Sequence, residues 1–258
     1  PKLQIWQEQL LEAYPRIADL ALESDGDVNL LPKGATSLRI HSVGGWGAIT
    51  MGKNLTLTAF ELFGMHVKAN PKYGSEKKGQ PSTYYLSAAP EPIKVNCEYF
   101  YVDVVLSPDP NVFGHTNALA GLKEGGVFII QSDAKTREAM WESIPPNYQK
   151  IIIDNKIKVF YLDAFKIARD EATDPDLRYR MQGTAFMGAF FRTSPFMEAE
   201  GLDEETLFEG MRKQLEKKFG HLGERVVEAN LKVIRRGFDE VRAVNVAGEL
   251  VAAGQVMA

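Results

Sequence analysis

Three short apolar runs constrain the fold more than any other feature of the sequence. They are Val102-Asp103-Val104-Val105-Leu106, Gly126-Val127-Phe128-Ile129-Ile130-Gln131 and Ile157-Lys158-Val159-Phe160-Tyr161-Leu162. Near-continuous apolar runs of this length are the pattern of strands buried on both faces of a parallel sheet. Helical segments follow the second and third of them, over residues 136–143 and from Asp163 to residue 169. Strands alternating with helices predict an α/β fold, a Rossmann-like and mostly parallel sheet with flanking helices. From Met181 onward the pattern is helical. Residues 181–191 are small and aromatic and predict a buried helix. Asp203 caps a second helix with Leu207, Met211, Leu215 and Phe219 on one stripe. Residues 223–241 predict a third, with Val227, Leu231, Ile234, Phe238 and Val241 inside.

Ahead of the first run lies Leu38-Arg39-Ile40-His41-Ser42-Val43-Gly44-Gly45-Trp46-Gly47-Ala48-Ile49-Thr50-Met51-Gly52-Lys53. It reads as a strand, a glycine turn and a helix over residues 48–63 with Leu55, Leu57, Phe60, Leu62 and Phe63 inside. Glycines let the backbone adopt φ > 0 and approach a ligand closely. The helix aims unpaired N–H groups and its positive dipole end at the turn, so the arrangement suits a phosphate. Two known templates fit poorly. A dinucleotide fingerprint, G-x-G-x-x-G with an acidic residue about 20 positions on, fails at Thr50 and finds Lys68 on the next strand. A Walker A loop fails at Asn54, where a hydroxyl would ligate Mg²⁺. A turn that needs glycine only for tight packing is the plain alternative. The favoured reading is a phosphate-bearing cofactor held by backbone N–H groups.

A short second strand is expected over residues 66–69, then a polar loop over 70–81. That loop carries Lys72-Tyr73-Gly74-Ser75-Glu76-Lys77-Lys78-Gly79-Gln80. Its lysines suit an anionic ligand, although a solvated charge run is the commoner meaning of such a stretch. Strands are expected over 82–88 and 93–96, and a short helix over 117–122. The N-terminal residues 1–37 read as a helical arm interrupted at Pro15 plus a turn-rich linker, the core domain as 38–242, and residues 243–258 as a tail.

The bulk properties exclude several classes. With 258 residues, 45% of them hydrophobic, there is enough chain for a sizeable core. A net charge of −4 gives no basic excess, so no nucleic-acid partner is expected. Cys97 is the sole cysteine, which excludes an internal disulfide and a cysteine-ligated cluster held by this chain alone. One thiol fits a reducing cytoplasm, and no apolar run approaches the roughly 20 residues of a membrane span. Beginning at Pro1 fits a removed initiator methionine and equally a piece of a longer polypeptide. His41, His66, His115 and His221 are scattered without metal-ligand spacing. Asp109 and His115 follow a buried strand, where ligand-adjacent loops sit, but no nucleophile accompanies them. Met181, Phe186, Met187, Phe190 and Phe191 fit core packing better than a cofactor slot.

The chain resembles the gamma subunit, or the equivalent internal domain, of the 2-oxoacid:ferredoxin (acceptor) oxidoreductases, of which pyruvate:ferredoxin oxidoreductase is a member. The resemblance runs in order through Val43-Gly44-Gly45-Trp46-Gly47, Gly74-Ser75-Glu76-Lys77-Lys78-Gly79-Gln80-Pro81-Ser82, Leu122-Lys123-Glu124-Gly125-Gly126-Val127-Phe128-Ile129, Ile157-Lys158-Val159-Phe160-Tyr161-Leu162-Asp163-Ala164-Phe165-Lys166-Ile167-Ala168, Met181-Gln182-Gly183-Thr184-Ala185-Phe186 and Gly223-Glu224-Arg225-Val226-Val227-Glu228-Ala229-Asn230-Leu231. It implies one subunit of a thiamine-diphosphate-dependent enzyme that decarboxylates a 2-oxo acid oxidatively, usually to an acyl-CoA. Thiamine diphosphate, magnesium and iron–sulfur clusters are then expected on the alpha, beta and ferredoxin-like partner subunits, with ferredoxin or another carrier accepting electrons. This chain's implied share is to wall the active site and help hold coenzyme A, with Gly44, Gly45, Trp46, Gly47, Lys77 and Lys78 as the binding positions. No catalytic residue and no metal ligand is expected from it. Trp46 is bulkier than the family's usual residue, and Gln80 stands where a glycine is common. A stand-alone nucleotide- or CoA-binding enzyme and a purely structural bridging subunit are the alternatives.

Overall fold

The computed structural model describes residues 2–17, 30–73, 79–172, 178–199 and 201–244. The backbone divides into two compact units, residues 1–30 and 31–258. The first contains helix α1 (Lys2–Ala13), which ends in a turn at Pro15. The rest of the expected helical arm, residues 18–29, lies outside the described residues, as does the tail from 245.

In the second unit the chain runs β1 (Thr36–Val43), α2 (Ala48–Glu61), β2 (His66–Tyr73), β3 (Pro81–Ala89), β4 (Val102–Ser107), β5 (Leu122–Gln131), α3 (Arg137–Glu142), α4 (Pro146–Asp154), β6 (Lys158–Leu162) and α5 (Ala164–Glu171). Then come α6 (Arg178–Thr193), α7 (Phe196–Ala199), α8 (Glu204–Phe219), α9 (Glu224–Glu240) and β7 (Arg242–Val244). Seven strands form one sheet in the order β2-β3-β1-β4-β5-β6-β7. Its centre, β1-β4-β5-β6, is parallel, and those strands include the three apolar runs. Both flanks are antiparallel: β3 pairs with β1 from Thr36–Ala88 to Val43–Pro81, β2 pairs with β3, and β7 closes the far side on β6.

Alternation along the central strands sorts side chains to two faces. Val104, Leu106, Val127, Ile129 and Leu162 join a core with α2, α5, α6, α8 and α9. Val105, Phe128, Ile130, Val159 and Tyr161 join a second core with α3 and α4. Helix α6 is buried from Met181 to Phe191, as its composition predicts. Asp203 caps its helix as expected, accepting a hydrogen bond from the N–H of Thr206 (2.8 Å), and Asp163, where a helix is expected to start, accepts one from the N–H of Lys166 (3.0 Å).

Four local expectations are corrected. Strand β2 continues to Tyr73, because Asn70 to Tyr73 pair with Ser82 to Tyr85; Pro71 is tolerated there because β2 is an edge strand. Residues 93–96 form no strand. They follow Pro90 and Pro92, and their neighbour Cys97 offers its carbonyl to the Asn70 side chain at 3.0 Å instead of joining a ladder. Residues 117–122 are not helical: a single 3₁₀ turn at Val112–Gly114 replaces the helix, and Leu122 already opens β5. In α2, Leu57 and Phe60 are 41% and 58% exposed rather than inside, since the buried stripe is Ala48, Met51, Leu55, Thr58 and Ala59.

Candidate functional site

The site is built at the carboxyl edge of the parallel centre, where ligands of open α/β sheets gather. Strand β1 ends at Val43, and Gly44 continues its ladder. The N–H of Gly44 donates to the carbonyl of Gln80 at 2.8 Å, and the N–H of Gly79 donates to the carbonyl of Gly44 at 3.2 Å. Gly79 and Gln80, at the described end of the lysine segment, therefore run alongside the glycine turn. Trp46 N–H closes the turn on the Val43 carbonyl at 3.2 Å. Gly45 (φ 100°) and Gly47 (φ 83°) flank Trp46 in the left-handed region, which a β-carbon would strain. Gly47 caps α2 without any side-chain bond, so the first N–H groups of the helix face the turn unclaimed by a cap.

Gly52 is not part of this loop. It sits one turn into α2, and a β-carbon there would lie 2.4 Å from the Tyr84 ring. Close packing of helix on sheet explains it, which removes the Walker-like spacing as evidence for a nucleotide. The dinucleotide template fails for a topological reason as well: β2, which carries Lys68, is separated from β1 by the antiparallel β3.

Trp46 connects the turn to the rest of the edge. Its ring meets Phe165 edge-on with centroids 5.5 Å apart. Its carbonyl accepts a 2.9 Å bond from Gln182, a fully buried residue of α6. Phe165 in turn lines an open crevice of about 560 Å³ at the ends of β5 and β6, with Asn111, Ser132, Asp133, Asp163 and Arg169 at its polar rim. The crevice lies where the helix after β5 takes one face of the sheet and the helix after β6 takes the other. Sequence reading placed Asp163 at the start of a helix but did not find the crevice. Its walls come from three loops whose proximity only the sheet order creates.

Behind the turn, the second face of β1 is polar and buried. The Arg39 guanidinium donates to the carbonyls of Phe100 (3.2 Å) and Ala118 (3.1 Å) and also to that of Ala120. His41 is 8% exposed, and its Nε2 has no partner. Burial, then the charges of Arg39 and His115, pull its imidazole down to about 3. His115 bonds Asp109, whose other oxygen accepts the Asn111 N–H at 2.9 Å. The noted pair Asp109 and His115 is therefore real, and His41 stands beside it.

Of the six expected binding positions, Gly44, Gly45, Trp46 and Gly47 form one turn. Lys77 and Lys78 lie outside the described residues, two positions and one position before Gly79. Lys72 is paired with Glu98 at 2.8 Å. Among the described residues no group of three or more potential metal-ligating side chains occurs, and no helix is long and apolar enough to cross a membrane.

A mixed sheet with a parallel centre, flanking helices and a glycine turn at its carboxyl edge defines the α/β class. The chain belongs to the pyruvate ferredoxin/flavodoxin oxidoreductase family, which matches residues 37–240. It is 30% identical over 167 residues to the pyruvate/ketoisovalerate oxidoreductases common subunit gamma of Thermococcus litoralis, covering 65% of this chain and 82% of that one. It is 22% identical to the pyruvate:ferredoxin oxidoreductase of Moorella thermoacetica, over 88% of this chain and only 18% of that much longer protein. The crystal structure of the pyruvate oxidoreductase subunit PORC of Thermotoga maritima shares the fold, with a TM-score of 0.61 and 23% identity over 81% of this chain and 98% of that one. Within the family the chain is a gamma-type subunit of a 2-oxoacid:ferredoxin oxidoreductase.

Proposed function

We infer that this subunit holds coenzyme A at the edge of an active site completed by its partners. The enzyme would be thiamine-diphosphate-dependent, with thiamine diphosphate, magnesium and iron–sulfur clusters on alpha, beta and ferredoxin-like subunits. The observation that carries the reading is the pairing of Gly44 with Gly79 and Gln80. It brings the segment that follows Lys77 and Lys78 alongside Gly44, at the opening of the turn that leads into α2. Gly44 spends its N–H on that pairing, so Gly45, Gly47 and the first amides of α2 are the donors left for a phosphate. Coenzyme A carries a diphosphate and a 3′-phosphate, and its thiol accepts the acyl group; the turn and lysines bind and orient it. In support, a structural neighbour of the same fold (TM-score 0.54, 22% identity) is the 2-oxoglutarate:ferredoxin oxidoreductase of Magnetococcus marinus, solved with 2-oxoglutarate, coenzyme A and succinyl-CoA bound.

The test is steady-state kinetics of the assembled enzyme carrying Lys77→Ala with Lys78→Ala. Two lysine–phosphate contacts of ordinary surface strength contribute on the order of 0.5–2 kcal/mol together, so KM for coenzyme A rises roughly two- to thirty-fold. KM for the oxo acid stays within about two-fold, less than 0.5 kcal/mol. Unchanged coenzyme A kinetics would remove the lysines from the site.

A further inference from the structure

On the sheet face that carries the C-terminal helices lies a trough of about 630 Å³ whose lining is mostly apolar. Every residue that lines it belongs to α2, α6, α8, α9 or the 3₁₀ turn Gly220–Leu222 between the last two. The lining includes the buried Met187 and Met211 and the exposed Leu57 and Leu222. Apolar surface continues past the trough, because Phe60, one turn beyond Leu57 on the same side of α2, is exposed as well. Large apolar side chains gathered on one face, rather than scattered singly, mark a contact surface. A small molecule filling the trough would leave Phe60 in water, so the occupant that explains the whole face is larger than the trough.

The walls also select the kind of element. Strand addition needs a sheet edge with free N–H and C=O groups, and no strand lines this trough. A helix satisfies its own backbone and presents only side chains, so it is the element that can lie in an all-helical apolar trough with one face. Its charge follows from Gln214 and Lys218, which stand one turn apart on α8 and both line the trough. Lys218 bonds the neutral side-chain oxygen of Asn54, and among the described residues no carboxylate pairs with it. Its neighbour Lys217 is by contrast paired with Glu61 at 2.7 Å. The Gln214 Oε1 accepts from the Thr58 hydroxyl at 2.8 Å, while its buried Nε2 has no acceptor. An ammonium without a counter-charge and an amide N–H without an acceptor, adjacent on one stripe, are complementary to a single carboxylate.

We propose that an amphipathic helix of a partner subunit docks here, its apolar ridge over Leu57, Phe60 and Leu222 and one Asp or Glu carboxylate on Lys218 and Gln214. A gamma-type subunit has such partners by nature, since it is one chain of a larger enzyme. The assembled enzyme is treated with a zero-length carbodiimide, and the linked peptides are identified by mass spectrometry. A link from Lys218 to a carboxylate of another subunit is expected, in a segment with apolar residues three and four positions away. Native mass spectrometry then follows that subunit in variants. Lys218→Glu should raise its dissociation constant about ten-fold, and Leu57→Asp with Phe60→Asp at least about a hundred-fold. Replacing the linked carboxylate by lysine should restore the subunit to the Lys218→Glu enzyme, a rescue that a misfolded chain cannot show. Absence of any link from Lys218 to another subunit overturns the proposal, as does full subunit retention in the Leu57→Asp, Phe60→Asp enzyme. A link to a second copy of this chain overturns it too, because the face then serves self-association. The readout is subunit contact and needs no coenzyme A, so its failure leaves the coenzyme A reading untouched.

Discussion

Gln182 holds Trp46 by the backbone: its side-chain N–H reaches the Trp46 carbonyl at 2.9 Å from a helix 136 residues further along the chain. The ring of Trp46 is meanwhile held by Phe165. A bulky residue at the centre of a glycine turn is thus fixed from two sides. Gln182→Leu removes the donor and leaves a carbonyl of the turn unpaired. Chemical denaturation should report a loss of about 1–3 kcal/mol. The assembled variant should also show a raised KM for coenzyme A with an unchanged KM for the oxo acid, a split that a general loss of stability does not produce.

Two glycines separate strain from crowding. At Gly45 a β-carbon meets nothing within 4 Å, but φ is 100°. Gly45→Ala therefore costs only backbone strain, about 1–2 kcal/mol. At Gly237 of α9 a β-carbon would lie 1.9 Å from the Ala185 carbonyl oxygen of α6. Gly237→Ala forces the two buried helices apart and should cost about 3 kcal/mol or more. Equal costs in urea unfolding would contradict this reading of the α6–α9 contact.

His41 makes stability depend on pH in a defined window. Its folded value, about 3, lies below its ordinary value of 6.5. Above pH 6.5 the imidazole is neutral in both states and its contribution is complete. As pH falls below 6.5 the unfolded chain takes up a proton that the folded chain refuses, so stability declines until about pH 3. One group supplies a slope of at most about 1.4 kcal/mol per pH unit. The carboxylates held low by lysine or arginine partners, such as Glu61 and Asp170, begin to lose their contributions only near and below their ordinary values of 4.5 and 3.8. Unfolding measured at pH 7 and pH 5 should therefore differ less in His41→Gln than in the parent protein.

Arg39 ties the buried second face of β1 to the loops before and after β4. Arg39→Met keeps the stem and strands the carbonyls of Phe100, Ala118 and Ala120. A loss of about 3 kcal/mol is expected in thermal or chemical unfolding. Arg39→Lys should recover only part of it, since one ammonium cannot reproduce the planar fork.

What could be read early was whatever depends on near neighbours. The apolar runs became β4, β5 and β6 because burial on both faces needs no further information than their composition. Asp203 was legible as a cap, and Asp163 as a helix start, because each bonds an N–H three residues on. Leu57 and Phe60 misled, because helical spacing marks a stripe as apolar without saying whether a neighbouring element covers it. The extended β2 misled for a similar reason: Asn70 and Pro71 look like loop residues until Ser82 to Tyr85 pair with them.

The sequence by itself determined an α/β chain with a parallel centre, a glycine turn before a helix, and a helical C-terminal region. Periodicity, capping and turn chemistry act over a few residues, so they are written locally. Only the tertiary structure decided that β3 lies between β1 and β2, that Gly44 gives its N–H to Gln80, and that Trp46 is clamped by Phe165 and Gln182. Those facts rest on pairings that reach as far as 136 positions along the chain, such as Gly44–Gln80, 36 apart, and Trp46–Gln182. No local pattern encodes them; they follow from which strand edges and helix faces are left to satisfy one another once the sheet has formed.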